Sequence, residues 1–256
     1  MVIDLNKNAK SSLGIGVNIF GRIWALWGLV SFLITFIIIF LPSMLSHTME
    51  ETKGQKYFVA LSKLWMNVWL FLIGCPVKVS GKENFKPGMV YIIVFNHNAL
   101  LDVPLSAPYV PGANKTIAKA SFAKIPLFGM FYKRGSVLVD RTNERSRRKS
   151  FNAMKKVLAA GMHVCIYPEG TRNRSNEPIK PFYNGAFKLA METQKAIMPC
   201  VIIGTKKAMP INKKFFLLPV KLKMHFLPAE ASTDITLQDL KEKTFNVMVK
   251  DYVEHV

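Results

Sequence analysis

The pattern of hydrophobic and polar positions changes near residue 76. Before this point the chain carries two long apolar runs. After it, short β-branched runs alternate with amphipathic stretches and with glycine and proline. Long apolar runs are typical of membrane-associated helices, and the later pattern is typical of alternating strands and helices. The chain is therefore predicted to have a membrane-associated helical segment over residues 1–75 and a second domain over residues 76–256.

The first apolar run, residues 23–41, is uncharged over 19 residues. At about 1.5 Å per residue, a helix of this length just spans a hydrocarbon core of roughly 30 Å. The run begins late for a signal peptide, is long for the apolar part of one, and lacks a small-x-small cleavage site over residues 42–46. These features favour a segment that is retained in the mature protein.

The second apolar run, residues 57–74, is interrupted by Lys63. Basic residues flank the first run on both sides, so the positive-inside rule gives no clean orientation. These residues are Lys7, Lys10 and Arg22 before the run and Lys53, Lys56 and Lys63 after it. The symmetric flanks favour a helical hairpin that dips into one leaflet, and a single true span is the alternative.

Seven runs after residue 76 predict strands, and several amphipathic stretches predict helices. The predicted strands are residues 77–80, 89–95, 116–119, 137–139, 163–167, 198–204 and 220–226. The predicted helices are residues 101–107, 122–131, 144–160, 185–194 and 237–252. Strands that alternate with helices predict an α/β fold with a mainly parallel central sheet flanked by helices.

Charge and hydropathy narrow the class of partner. Lys and Arg number 35 against 16 Asp and Glu, which gives a formal charge of +19, and half of the residues are hydrophobic. This combination favours an anionic membrane surface or phosphorylated ligands. A non-enzymatic protein that binds anionic lipid or nucleic acid is the alternative, but no aromatic stacking motif or nucleic-acid module supports it.

The cysteines and histidines predict no metal site. Cys75, Cys165 and Cys200 are widely spaced in apolar sequence, so neither a disulfide framework nor a metal cluster is expected. The histidines, including His163 and His225, lack a metal-ligand spacing. Free thiols suit a reducing compartment. The expected location is therefore an inner or plasma membrane, with the active domain on the cytoplasmic side.

His97 and Asp102 follow a run over residues 90–95 that is typical of a buried strand. Five residues on a regular helix correspond to about 500°, which would point the two side chains apart, so a contact requires a turn. With such a turn, the carboxylate accepts the proton on one ring nitrogen and leaves the other nitrogen free to take a proton from a hydroxyl. The pair is a candidate general base, and a surface hydrogen bond or a helix cap is the alternative.

Further charged motifs follow other predicted strands. Gly170 permits a sharp turn or a close approach to a ligand, and Arg172 offers a planar fork that matches phosphate oxygens. A third motif runs from Gly135 through a short strand to Arg141, and Lys119 ends another strand. A solvated loop, a strand-end ion pair and an ordinary surface lysine are the respective alternatives.

Taken together, these motifs resemble the glycerolipid acyltransferase family, in particular the 1-acyl-sn-glycerol-3-phosphate acyltransferases. Residues 96–102 resemble the family's N-H-x-x-x-x-D block, Gly135 to Arg141 its second block, and residues 169–172 its E-G-T-R block. Residues 199–202 resemble its proline-led fourth block. The four occur in family order. Ala99 departs from the pattern, in which serine is frequent, so the acceptor preference is open.

The resemblance implies transfer of a fatty acyl group from a thioester donor, acyl-CoA or acyl carrier protein, to the free hydroxyl of lysophosphatidate, giving phosphatidate. His97 is then the base and Asp102 its orienter. The chain has no Gly-x-Ser-x-Gly elbow, so direct attack by the acceptor is expected rather than a covalent acyl-enzyme. Acylation of another lysolipid or of glycerol 3-phosphate, and a membrane-bound thioesterase, are the alternatives.

The expected substrate-binding residues are Lys119, Arg141, Glu169, Gly170, Thr171 and Arg172. Arg172 and Lys119 are expected on the acceptor phosphate with Arg141 second, and Glu169 on a glycerol hydroxyl or in support of the arginine. The expected partners are membrane lipids, the lysophospholipid acceptor and the acyl donor, without nucleic acid. No cofactor is expected beyond the thioester co-substrate.

Overall fold

The computed structural model describes residues 14–140 and 142–256. Lys7 and Lys10, which flank the first apolar run, and Arg141 of the third motif lie outside the described residues.

The described residues form helices and strands in alternation after an all-helical start. The helices are α1 Ile15–Met44, α2 Glu51–Leu72, α3 Asp102–Tyr109, α4 Phe128–Arg134, α5 Glu144–Ala159, α6 Gly185–Thr193, α7 Thr205–Ala208 and α8 Leu237–His255. The strands are β1 Val77–Ser80, β2 Ile92–Phe95, β3 Asn114–Lys119, β4 Ser136–Val139, β5 His163–Ile166, β6 Ile197–Ile203 and β7 Leu222–Phe226. Short 3-10 turns are Leu45–His47, Lys82–Asn84 and Ala120–Lys124.

The seven strands form one sheet in the order β1-β7-β6-β2-β5-β3-β4. All neighbouring pairs are parallel except β6 and β7, so β1 and β7 run opposite to the other five strands. The prediction of an α/β fold with a mainly parallel sheet is confirmed. Each predicted strand is present, with ends that differ by up to three residues.

Helices cover both faces of the sheet. The side chains of β2 alternate between the two layers, since Ile93 and Phe95 pack among residues of α1, α2 and α3 while Ile92 and Val94 pack among residues of α5, α6 and α8. All four side chains are fully buried. This double burial explains why the central strands are continuous apolar runs rather than alternating ones.

The prediction of one helix over residues 122–131 is wrong. A 3-10 turn over Ala120–Lys124 comes first, and α4 begins only at Phe128. Between them, Ile125 is extended because it precedes Pro126, and Leu127 has a positive φ of 56°. The proline separates the two elements, and its effect outweighed the apolar periodicity.

The first two helices form a hairpin. Segment Gly16–His47, which includes α1 from its second residue onward, is long and apolar enough to cross a membrane. Two tryptophans of α2 form hydrogen bonds to α1. Trp69 Nε1 donates to the carbonyl of Gly28 at 3.0 Å, and Trp65 Nε1 donates to Thr35 Oγ1 at 2.9 Å. The predicted helical hairpin is thus present.

The hairpin packs directly on the sheet domain. The Arg134 guanidinium at the end of α4 contacts the turn between α1 and α2, with Nη2 at 3.1 Å from the carbonyl of Ser46 and Nη1 at 3.2 Å from the Glu51 carboxylate. Residues of α1, α2 and the sheet share one apolar cluster. A division of the chain between residues 75 and 76 therefore stays a prediction.

Candidate active site

The candidate site lies where the central parallel strands end. β2 has β5 on one side and β6 on the other, and β3 follows β5. The loops after β2 and β5 carry the first and second sequence motifs, so the sheet order brings them together at one edge. The carboxyl edge of an α/β sheet is the usual place for a ligand.

Asn96 fixes the point at which the chain leaves β2. Its buried side chain donates from Nδ2 to the carbonyl of Ile202 at 2.9 Å and accepts from the Ile202 amide at 2.7 Å. These bonds continue the hydrogen bonding between β2 and β6 by one more residue. The residue before His97 is therefore held in place while the chain turns away.

His97 and Asp102 are in direct contact. His97 Nδ1 lies 2.9 Å from Asp102 Oδ2, and the chain turns between them before α3 begins at Asp102. The same oxygen accepts from the backbone amides of Asn98 at 2.6 Å and Ala99 at 2.7 Å. The turn required for a contact between His97 and Asp102 is confirmed, and the Asp102 carboxylate is fully buried.

The contact with Asp102 determines which ring nitrogen of His97 can act as a base. An ionised carboxylate only accepts, so the proton sits on Nδ1 and Nε2 is free to receive one. The ring rests on Tyr167, with centroids 4.5 Å apart, and the His97 side chain retains 15% exposure. The Tyr167 hydroxyl donates to the carbonyl of Asp102 at 2.8 Å. The imidazole is thus oriented on one side and accessible on the other.

Ala99 contributes only its backbone to the site. Its side chain is buried, and its amide is one of the donors to Asp102. A methyl group here cannot offer the hydroxyl that a serine would.

Glu169 holds the backbone beside His97. Its Oε1 accepts from the His97 amide at 2.6 Å, and its Oε2 accepts from the Lys180 amide at 3.0 Å. The side chain is fully buried, and this burial raises its pKa to about 7 against the opposing effect of the two amide bonds. These contacts place Glu169 in support of the His97 loop, whereas the sequence had favoured a glycerol hydroxyl or the arginine as its partner.

The rest of the E-G-T-R block supports the same loop. Gly170 has a φ of +72°, a conformation that favours glycine. The turn directs the Asn173 amide to the carbonyl of His97 at 2.6 Å. Together with Glu169, this motif therefore engages both the N–H and the C=O of His97.

Two cationic side chains flank this turn. Among the described residues, no hydrogen bond or ion pair involves the half-buried Arg172 guanidinium. Lys180 Nζ donates to Thr171 Oγ1 at 2.9 Å. Lys180 is not predicted from the sequence, because its link to the site passes through a carboxylate eleven positions earlier.

Lys119 and the third motif lie further along the same edge. Lys119 is exposed at the end of β3, and its charge adds to two Thr142 hydrogen bonds in lowering the pKa of Asp140. A Cβ atom on Gly135 would lie 2.9 Å from the Phe58 ring of α2, so this glycine allows close helix packing. Arg141, which the sequence placed near the phosphate, is outside the described residues.

The other histidines and the cysteines lie apart from the dyad. His163 Nδ1 accepts from the Tyr91 amide at 3.0 Å, and burial lowers its pKa to about 4. His225 pairs with Asp251 at 2.7 Å on β7 and α8. The three cysteine thiols are free and buried. Burial raises the pKa of Cys165 to about 12, which disfavours a reactive thiolate there.

Comparison with known proteins agrees with the motifs. Residues 76–203 match the acyltransferase family. The chain is 31% identical over 166 residues to the 1-acyl-sn-glycerol-3-phosphate acyltransferase of Helicobacter pylori, covering 64% of this chain and 69% of that protein. It is 30% identical over 203 residues to a probable enzyme of the same name from Mycoplasma pneumoniae, covering 75% of each.

Other similarities concern length and fold. The chain is 30% identical to the 1-acyl-sn-glycerol-3-phosphate acyltransferase of Cocos nucifera over 59% of its own residues. It spans about half the length of this relative and of an algal one. The crystal structure of the 1-acyl-sn-glycerophosphate acyltransferase PlsC from Thermotoga maritima superposes with a TM-score of 0.78 at 22% identity, over 92% of this chain and 96% of that one. This last similarity concerns the fold alone.

Proposed function

The chain belongs to the acyltransferase family, and on that premise we propose that it transfers a fatty acyl group from a thioester donor to the free hydroxyl of lysophosphatidate. The product is phosphatidate, a precursor for phospholipid synthesis. The proposal is supported by the names of the relatives and, above all, by the contact between His97 Nδ1 and the buried Asp102 carboxylate.

The chemistry follows from the tautomer that this contact selects. His97 Nε2 removes the proton of the acceptor hydroxyl as its oxygen attacks the thioester carbonyl carbon. The tetrahedral intermediate collapses, the C–S bond breaks, and the thiolate takes the proton from the imidazolium. An ester and a free thiol result, so atoms and charge balance without a protein nucleophile. The buried thiols of this chain fit that direct route.

The acceptor phosphate is proposed to bind beside the turn after β5. The Arg172 guanidinium has no protein partner among the described residues. The Lys180 side chain contacts the same turn through its hydrogen bond to Thr171. Both cations border the loop that holds His97. A phosphate bound there would place the glycerol hydroxyl at a fixed distance from Nε2. Lys119, at the end of the adjacent strand β3, is a further contact, and Arg141 a predicted one.

Membrane association is proposed to occur through the hairpin. Large apolar side chains recur every three or four residues along the outer face of α1. The exposed set includes Ile19, Ile23, Leu26, Leu33, Ile34, Ile37, Ile38 and Leu41, with Leu64, Val68 and Phe71 of α2. This surface favours lipid as its environment.

The packing of α1 favours insertion into one leaflet over a full span. The carbonyl of Gly21 accepts from the Leu217 amide at 3.0 Å, and the Phe36 ring lies 5.7 Å from that of Phe131. The sheet domain thus lies against α1 over about 22 Å of helix. A bilayer core of roughly 30 Å could not surround α1 on the side that the sheet domain occupies. The active domain is proposed to face the cytoplasm.

The reaction is tested with purified protein in detergent, a radiolabelled acyl-CoA or acyl carrier protein thioester, and a panel of acceptors. The panel is lysophosphatidate, glycerol 3-phosphate, a zwitterionic lysolipid and water alone. We expect labelled phosphatidate, and only with lysophosphatidate. A different labelled lipid would change the acceptor, and free fatty acid at the same rate without any acceptor would make the protein a thioesterase.

A further inference from the structure

The last helix brings a tyrosine hydroxyl to the loop of the dyad. Tyr252 on α8 has its hydroxyl 3.3 Å from Nδ2 of Asn98, a contact between residues 154 positions apart. Both side chains are buried, with 7% and 1% exposure. Burial raises the pKa of Tyr252, and the nearby charges of Asp102 and Glu169 raise it further. The hydrogen bond from Asn98 opposes these effects but does not reverse them, so the phenol stays protonated.

Asn98 connects this hydroxyl to the dyad. It follows His97 directly, and its backbone amide donates to Asp102 Oδ2 at 2.6 Å. Its side-chain oxygen is buried and has no hydrogen-bond partner among the described residues. Burial of an unpaired amide oxygen costs stability. Packing alone therefore does not explain an asparagine here, and the contact with Tyr252 is what its side chain provides.

The contact comes from outside the segment that matches the family model. The match to the acyltransferase family ends at residue 203, and α8 begins at Leu237. Leu240 and Met248 bury α8 in the apolar layer below the sheet. The helix is therefore anchored independently of the Asn98 contact, and Tyr252 reaches the loop from a fixed support.

We propose that Tyr252 is a positioning residue for the dyad. It holds the Asn98 side chain, so that the backbone amides of residues 98 and 99 stay directed at Asp102 and the His97 imidazole keeps its orientation. Tyr252 acts through Asn98 and touches no substrate. The inference rests on the proposed acyl transfer, because it concerns the same base.

Tyr252→Phe removes the hydroxyl and keeps the ring. Since only the orientation of the base is disturbed, kcat should fall about tenfold while KM for donor and acceptor changes by less than about twofold. Tyr109→Phe is the matched control, because the buried Tyr109 hydroxyl also contacts an asparagine side chain, Asn67, at 2.6 Å on the opposite layer. Its kcat should equal that of the wild type. Unfolding midpoints of both variants are measured in the same detergent.

A double-mutant cycle tests the route through Asn98. If Tyr252 acts on the dyad through Asn98, then Tyr252→Phe should lower kcat no further in an Asn98→Ala background. A full tenfold loss in that background would overturn the proposal, as would a wild-type kcat for Tyr252→Phe alone. If Asn98→Ala does not fold, the kcat and KM values of Tyr252→Phe decide whether Tyr252 has the positioning role. A loss of kcat that follows a matching loss of folded protein would mean a structural role.

The wild-type protein in the same assay separates the two proposals. If it forms no phosphatidate, the proposed function fails. If it forms phosphatidate and Tyr252→Phe is equally active, only the positioning role fails.

Discussion

At the scale of single residues, the site is an arrangement for holding one histidine. The N–H of His97 donates to Glu169, its C=O accepts from Asn173, and its Nδ1 contacts Asp102. Each of these partners is fully buried. The backbone and the ring are therefore both fixed, and only Nε2 is left for chemistry. Such preorganisation is what a general base needs, because an imidazole that can rotate would spend little time in a reactive orientation.

The burial of Glu169 makes the stability of the protein depend on pH. Its pKa is about 7 in the folded protein, against an ordinary value of 4.5. The folded state therefore binds the proton more tightly, and this stabilisation is present below pH 4.5 and is lost as pH rises through 7. The difference corresponds to about 3 kcal/mol at most. Burial lowers the pKa of His163 to about 4, which changes the free energy of unfolding in the opposite sense, so the contribution of Glu169 is measured as a difference between variants.

Glu169→Gln should remove the Glu169 contribution, since glutamine does not titrate, so the free energy of unfolding of this variant should rise with pH relative to that of the wild type. Denaturant unfolding in detergent at pH 5 and pH 7.5 measures the effect, and Glu83→Gln, at an exposed carboxylate, is the control that should keep the wild-type slope. If Glu169→Gln keeps the same slope, Glu169 does not carry it.

The dyad could be predicted from the sequence, and much of its support could not. His97, Asp102 and Arg172 stand next to strand ends, so local pattern finds them. Tyr252 reaches the same loop across 154 positions of chain, and Lys180 reaches it through an intervening carboxylate. Such contacts depend on how the layers pack, and no spacing encodes them. Glu169 was found by its motif, but its burial gives it different partners from those expected.

At the scale of elements, Arg134 joins the hairpin to the sheet domain. Its side chain is 6% exposed and contacts Ser46 and Glu51 through both backbone carbonyls and side chains. Gly54 leaves room for it, because a Cβ there would lie 2.6 Å from the guanidinium. The pattern of apolar positions predicts the strands and the hairpin well, but it does not predict this contact of Arg134 with the hairpin.

Arg134→Met should lower the free energy of unfolding by about 2 kcal/mol, because it leaves the hydroxyl and the carbonyl of the buried Ser46 without this donor. Limited proteolysis should then cut faster near the turn Leu45–His47. Arg148→Met is the control, since among the described residues Arg148 pairs only with Glu144, and this pair is exposed. Equal stability of the two variants would show that Arg134 does not secure the hairpin.

At the scale of the whole molecule, a charge of +19 and the apolar face of α1 offer two different ways to bind a membrane. Charge alone gives binding that salt removes, whereas a buried apolar face keeps the protein on the bilayer at high salt. We expect flotation with anionic vesicles to persist at high ionic strength.

The double variant Ile37→Asp with Ile38→Asp should detach from vesicles at high salt, because both side chains are among the most exposed of α1. Met89→Asp, at an exposed position away from the hairpin, is the control and should stay bound. Release of the wild type by salt would instead assign the binding to charge.

The dyad is tested most directly by replacing its histidine and comparing the result with the same change in the His225–Asp251 pair. His97→Gln and His225→Gln each remove an imidazole that contacts a carboxylate, at 2.9 Å and 2.7 Å respectively. The measurement is phosphatidate formed per folded protein from lysophosphatidate and a labelled thioester. The account predicts a loss of about 10²- to 10⁴-fold for His97→Gln and a wild-type rate for His225→Gln. A folded His97→Gln protein that still forms phosphatidate at the wild-type rate would contradict it.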